Sequence, residues 1–353
     1  MSGVEPLGLA DIFAARRRIS AIAACTPLRR AEGLSDETAS EMLLKLEMLQ
    51  PSGAFKLRGA ANAVLARMEE GPCEGFVTAS TGNHGRALAY AARAVGKRAV
   101  VCLSDLVPQN KCDTLERIGA ELDIGGASQD VATVRAMERA QDEGLFYVSP
   151  YDDSYVIAGQ GTAALEIMLE RPDVETIVVP LSGGGLAAGT ALAAKTIKPS
   201  ISIIAVSSDR GPAMLASLMA GEPVEIEEEP SLADSLGGGI GLNNRWSFDL
   251  VRQYVDEVRI FSDEEIAEAM RYLYESEKLM AEGGAAIGIC AFQAADAEMP
   301  DGPVVMLLTG NAVDPAQFRA IIAGEWEPTA RPASRATFPR RYFVGSSSDQ
   351  SRS

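Results

Sequence analysis

Histidine is almost missing from this 353-residue chain, and His84 is the only one. That excludes a multi-histidine metal site, and a Ser-His-Asp arrangement built anywhere else. Cysteine is sparse and scattered: Cys25, Cys73, Cys102, Cys112 and Cys290 are odd in number and form no Cys-x-x-Cys pair. This argues against a disulfide framework and a thiolate metal centre, and for reduced thiols in a cytoplasmic compartment. Positive charge is short, with 32 Lys and Arg against 49 Asp and Glu for a net −17. No basic stripe precedes the last few dozen residues, so nucleic acid is not expected as a partner. No apolar run approaches the roughly 18 residues of a membrane span, and the first residues lead to Asp11 and Arg16-Arg17-Arg18 instead of a signal-type apolar core. A cytoplasmic protein without membrane contact is the expectation. What remains, 47% hydrophobic and 23% charged, is enough to bury one large core or two moderate ones.

Short β-branched runs alternate with Ala-rich segments of helical period: 75–79 then 85–95, 99–103 then 110–118, 176–181 then 186–197. This alternation predicts βαβ units and an α/β fold of open, mostly parallel sheets flanked by helices. Further strands fit 201–206 and 304–308, the last nearly all apolar, as a strand covered on both faces should be. The rhythm pauses at 147–160, where Pro150, Asp152, Asp153 and Gly159 interrupt it, and a domain boundary is expected there. From residue 326 the composition turns to Pro, Arg and Ser, which predicts a flexible polar tail over 326–353. The acidic run of Glu225 and Glu227 to Glu229 reads as a solvated loop.

Four segments carry chemistry. Ser182-Gly183-Gly184-Gly185-Leu186-Ala187-Ala188-Gly189 follows an apolar strand and opens a helix, so backbone N–H groups would converge at the positive end of a helix dipole. With no Lys or Arg inside it, such a turn suits the single terminal phosphate of a cofactor. The same residues satisfy a dinucleotide fingerprint, Gly183-x-Gly185-x-x-Ala188, with Asp209 after the next strand, so a nicotinamide cofactor stays open at this point. Pro51-Ser52-Gly53-Ala54-Phe55-Lys56-Leu57-Arg58 delivers a lysine to a helix start, where the dipole disfavours its charge; forming a Schiff base would consume that charge. Ser80-Thr81-Gly82-Asn83-His84-Gly85-Arg86 is another strand-to-helix turn, with hydroxyl and amide donors suited to a carboxylate and a phenolic oxygen. His84 could be a general base, and a capping or packing role fits its position equally well. Thr309 closes the strand at 304–308, where α/β folds place ligand groups.

Together these segments resemble the fold type II (tryptophan synthase β-like) pyridoxal-phosphate enzymes, specifically the serine/threonine dehydratase and serine racemase group. The likeness reaches to about residue 325, with every motif in the family's order. It implies a large cofactor-binding domain from 1–74 and 153–325, a small substrate-loop domain at 75–152, and a homodimer. By this resemblance Lys56 would carry the cofactor, with Phe55 against its ring, Asn83 at its phenolic oxygen, and Gly183, Gly184, Gly185 and Leu186 around its phosphate. Thr309 would face the pyridine nitrogen, and Ser80, Thr81, Gly82, Asn83 and His84 would receive the substrate. Thr81 stands where racemases have a second serine, the proton donor opposite the lysine. The family's divalent-cation site uses a Glu-Pro segment where this chain has Ser207-Ser208, so no metal is carried over. The stretch after residue 325 is short and polar, so a folded regulatory domain of the threonine-deaminase kind is not expected from it. The Ser-Thr-Gly-Asn-His-Gly-Arg loop is similar to that of dehydratases encoded for hydroxyectoine breakdown.

The resemblance implies an ammonia-lyase that removes water from a small 3-hydroxyamino acid, giving a 2-keto acid and ammonia, with Lys56 taking the α-proton. Three alternatives remain at this stage: an amino-acid racemase on the same scaffold, with Thr81 as second acid/base, an NAD(P)-dependent oxidoreductase, and a non-enzymatic cofactor-carrying or ligand-sensing protein.

Overall fold

The protein is described from a computed structural model covering residues 6–38, 40–80, 82–105, 107, 109–293, 299–330 and 337–345. Its strands are Leu28–Arg30 (β1), Met42–Lys45 (β2), Gly75–Ala79 (β3), Arg98–Leu103 (β4), Glu121–Ile124 (β5), Phe146–Tyr147 (β6), Thr176–Pro180 (β7), Ser202–Ser208 (β8), Glu257–Phe261 (β9), Val304–Leu307 (β10) and Arg341–Phe343 (β11). They sort into a seven-stranded sheet, β1-β2-β10-β7-β8-β9-β11, and a four-stranded sheet, β5-β4-β3-β6. The smaller sheet is parallel throughout. In the larger one the edge strands β1 and β11 are antiparallel to their neighbours and the rest are parallel. Parallel strands need a crossover and burial on both faces. Accordingly every residue of β2, β7, β9 and β10 is buried.

The helices are Leu9–Ile19 (α1), Glu32–Thr38 (α2), Lys56–Glu70 (α3), Asn83–Ala94 (α4), Gln109–Ile118 (α5), Gln129–Glu143 (α6), Ser154–Glu170 (α7), Gly185–Ile197 (α8), Ala213–Ala220 (α9), Ser247–Tyr254 (α10), Asp263–Glu275 (α11), Gly283–Gln293 (α12) and Pro315–Ala323 (α13). Gly159, expected to interrupt the chain, lies inside α7. The helix starts five residues earlier because Asp153 accepts the N–H groups of Tyr155 and Val156 as its cap. Glycine is needed at 159 for packing: a Cβ there would lie 2.5 Å from the Arg58 carbonyl oxygen of α3. On the opposite face a Cβ at Gly161 would lie 2.8 Å from the Gly189 carbonyl of α8. Thus α7 is clamped backbone to backbone between α3 and α8, the helices that begin at Lys56 and at the glycine loop.

A buried charge network reinforces this clamp. Arg58 donates to Glu47 at 2.7 Å and to Glu166 of α7 at 2.7 Å, and Lys45 reaches Glu166 at 2.6 Å. Two cations thus meet two carboxylates, which is the condition under which such charges tolerate burial.

The expectation of a flexible tail fails over its described part. Arg341–Phe343 adds to the sheet beside β9, Arg340 donates to Glu265 at 2.9 Å, and Arg341 donates to the buried Glu257 at 2.5 Å. Composition hid this because the edge strand is held by main-chain bonds and ion pairs, with only Phe338, Tyr342 and Val344 among its Pro, Arg and Ser to pack against the core.

Candidate functional site

Lys56 is the first residue of α3. The loop leading to it is stitched to the end of β10: Phe55 N–H donates to the Thr309 carbonyl at 2.9 Å, Asn311 N–H to the Gly53 carbonyl at 3.2 Å, and Ala54 forms a bridge with Gly310. Two motifs 250 residues apart are thereby one structure. The Phe55 ring centroid is 5.2 Å from Lys56 Nζ. Nζ donates to the Pro150 carbonyl at 2.6 Å. Burial alone pulls the ammonium down to about 8 from the usual lysine value, so the neutral amine is within reach at mildly alkaline pH.

The stretch 148–152, inside the 147–160 span whose composition predicts a boundary, is where the motifs meet. Val148 offers its carbonyl to His84 Nε2 at 3.1 Å and Pro150 offers its own to Lys56. The Tyr151 ring lies over the glycine loop, where a Cβ at Gly183 would come within 2.3 Å of it. Asp152 accepts the N–H groups of Arg245 and Trp246 at 2.8 Å and of Ser247 at 3.0 Å, fixing the start of α10. An aromatic between Pro150 and two aspartates was the available signal.

His84 is buried, and burial followed by the nearby Lys56 charge drives its imidazole down to about 3. With Nε2–H given to a carbonyl, Nδ1 is the bare nitrogen, and it has no hydrogen-bond partner among the described residues. The ring is therefore neutral and serves as a fixed post under the loop. Asn83, at the start of α4, donates Nδ2 to Glu282 at 2.7 Å and leaves Oδ1 without a partner. Glu282 was not foreseen. Burial raises its carboxyl against the Ala312 N–H, which it accepts at 2.8 Å, and it ties α4 to the turn after β10. Thr309 is buried and its hydroxyl donates to the Gly284 carbonyl at 3.4 Å. Ser80 accepts from Gly82 N–H at 3.4 Å; Thr81 lies outside the described residues. Among the described residues no side chain caps α4, so the amides of its first turn are available to a carboxylate.

The glycine loop has the shape of a phosphate seat. Gly184 has φ +88°, no side chain caps α8, and the first-turn amides of Gly185, Leu186 and Ala187 lack intrahelical acceptors. A Cβ at Gly183 would strike the Tyr151 ring and one at Gly185 the Tyr151 main chain, so glycine is needed at both for the loop to pack against Tyr151. A second glycine-rich turn, Gly237-Gly238-Gly239-Ile240-Gly241, faces it: Ser182 donates to the Gly237 carbonyl at 3.4 Å and Tyr151 to that of Gly239 at 3.3 Å. Three successive glycines were its signal, and they went unread. Where the resemblance would put a cation segment, Ser208 pairs with Ser231 at 3.0 Å and Arg210 with Asp263 at 2.8 Å. Among the described residues no group of three or more metal-ligating side chains occurs.

A putative threonine dehydratase of Sinorhizobium fredii is 45% identical over 92% of this chain and 98% of its own. An L-threonine ammonia-lyase of Thermotoga maritima is 36% identical over 89% and 78%. The solved structure of maize serine racemase superposes with a TM-score of 0.83 at 30% identity, covering 90% of this chain and 97% of the other. Residues 19–310 match the family described as pyridoxal-phosphate dependent enzyme, and to that family this chain belongs.

Proposed function

We propose that the chain is a pyridoxal-phosphate ammonia-lyase acting on a small 3-hydroxyamino acid of the threonine or serine kind, giving a 2-keto acid and ammonia. The observation that carries this is Lys56 Nζ, its pKa lowered by burial, held among the described residues by one carbonyl and flanked by Phe55. The names of the relatives, threonine dehydratase and L-threonine ammonia-lyase, support the same reaction class.

In this reading Lys56 holds the cofactor, Phe55 lies against it, and Gly183, Gly184, Gly185 and Leu186 receive its phosphate. Asn83 turns its remaining amide hydrogen toward the phenolic oxygen. When bound, the cofactor supplies an electron sink for the α-carbon. Ser80, Thr81 and the amides opening α4 hold the substrate carboxylate, and Lys56 Nζ takes the α-proton. Thr309 offers a neutral hydroxyl where a carboxylate would hold a positive charge, which favours loss of the β-substituent over prolonged storage of charge. His84, bare at Nδ1 and neutral, orients the loop and moves no proton. The four-stranded sheet and its helices, 75–152, close on the substrate as a small domain, and the working form is a cytoplasmic homodimer.

Purified protein supplied with pyridoxal phosphate is expected to be coloured and to release keto acid from a panel of 3-hydroxyamino acids. Lys56→Ala loses the colour and at least about a thousandfold in turnover. Unaltered turnover in that variant refutes the assignment. Recovery of the opposite enantiomer part-way through the reaction would move the protein to the racemases.

A further inference from the structure

The glycine loop contains no Lys or Arg, so a phosphate seated there would depend on how its backbone N–H groups are aimed. One contact sets that aim from outside the loop. Ser247, fully buried at the start of α10, donates its hydroxyl to the Gly183 carbonyl at 2.7 Å. In a planar trans peptide the carbonyl of one residue and the N–H of the next point to opposite sides. Holding the Gly183 oxygen toward Ser247 therefore turns the Gly184 N–H away from α10.

The serine itself has no freedom to let go. Asn244 donates Nδ2 to Ser247 Oγ at 2.8 Å and to the Ile240 carbonyl at 3.0 Å, while its Oδ1 accepts Phe248 N–H at 2.9 Å. These partners fix which way the Asn244 amide lies. Because Oγ already accepts from Asn244, its own proton is directed to Gly183. Asp152 locks the backbone beneath by accepting the N–H groups of residues 245, 246 and 247.

We propose that Ser247, oriented by Asn244, is a positioning residue for phosphate recognition: it aims the Gly184 amide into the glycine loop. The proposal rests on the reading of that loop as the seat of the cofactor's phosphate, and it concerns binding, not turnover. Full-length chain stripped of cofactor is titrated with pyridoxal phosphate and, separately, with pyridoxal, following visible absorbance. Ser247→Ala raises the Kd for pyridoxal phosphate about tenfold and leaves that for pyridoxal within about twofold. Asn244→Leu, on a half-exposed site, gives the same pattern with a smaller change, and decides the matter if the serine variant does not fold. Parallel weakening of both ligands reveals a merely structural serine and overturns the proposal, as does an unchanged Kd for pyridoxal phosphate. If the parent protein does not prefer pyridoxal phosphate over pyridoxal, the glycine loop is not the phosphate seat, which is a separate failure.

Discussion

At the scale of single residues, the reactivity of Lys56 is set by what surrounds it. Its only hydrogen bond among the described residues is to the Pro150 carbonyl, and burial lowers its pKa to about 8. A lowered pKa means that the neutral, nucleophilic amine predominates above about pH 8 instead of above the ordinary lysine value. Reductive methylation of the cofactor-free chain, followed by peptide mass, should modify Lys56 with a midpoint near pH 8, well below the ordinary lysine value. A midpoint shared with the exposed lysines would contradict this account of the site. Lys56 was legible in the sequence because a lysine at a helix start is an anomaly. Glu282 was not, because its partners Asn83 and Ala312 are remote in the chain and only folding brings them to it.

At the scale of elements, α7 links the two helices on which the proposed site depends. Its glycines allow the backbones of α3 and α8 to approach closer than any side chain would permit. Gly159→Ala should therefore cost about 1–3 kcal/mol in urea unfolding, since the clash is with the Arg58 carbonyl and not with a flexible side-chain end. A variant as stable as its parent would mean that α3 and α7 can separate without penalty. Most strands and helices were readable from periodicity, as 75–79 and 176–181 illustrate, because burial on both faces writes a continuous apolar run. The start of α7 was misplaced for the opposite reason. A glycine chosen for close packing is indistinguishable, in one sequence, from a glycine chosen to break a helix.

At the scale of the whole molecule, the two sheets and their order were inferable only as a class. Which strand neighbours which depends on contacts such as β10 inserting between β2 and β7, and no local pattern encodes them. The polar C-terminal segment shows the limit of composition: three residues close the edge of β9 that would otherwise stand open. A chain ending at residue 336 should lose about 1–2 kcal/mol of stability from the missing ladder and ion pairs, and aggregate more readily on warming. Activity at low temperature should stay within about twofold, because β11 lies at the far edge of the sheet from β10. Full thermal stability in the truncated chain would show that the edge needs no cover.

The Pro150 carbonyl gives Lys56 a partner that carries no charge. A carboxylate in that place would have to be left uncompensated each time the amine changed its bond or its proton, whereas an amide dipole can be vacated and revisited at little cost. The side chain is thus moored where it can be found and is free to cast off, which is what a group that must alternate between two attachments in every cycle requires.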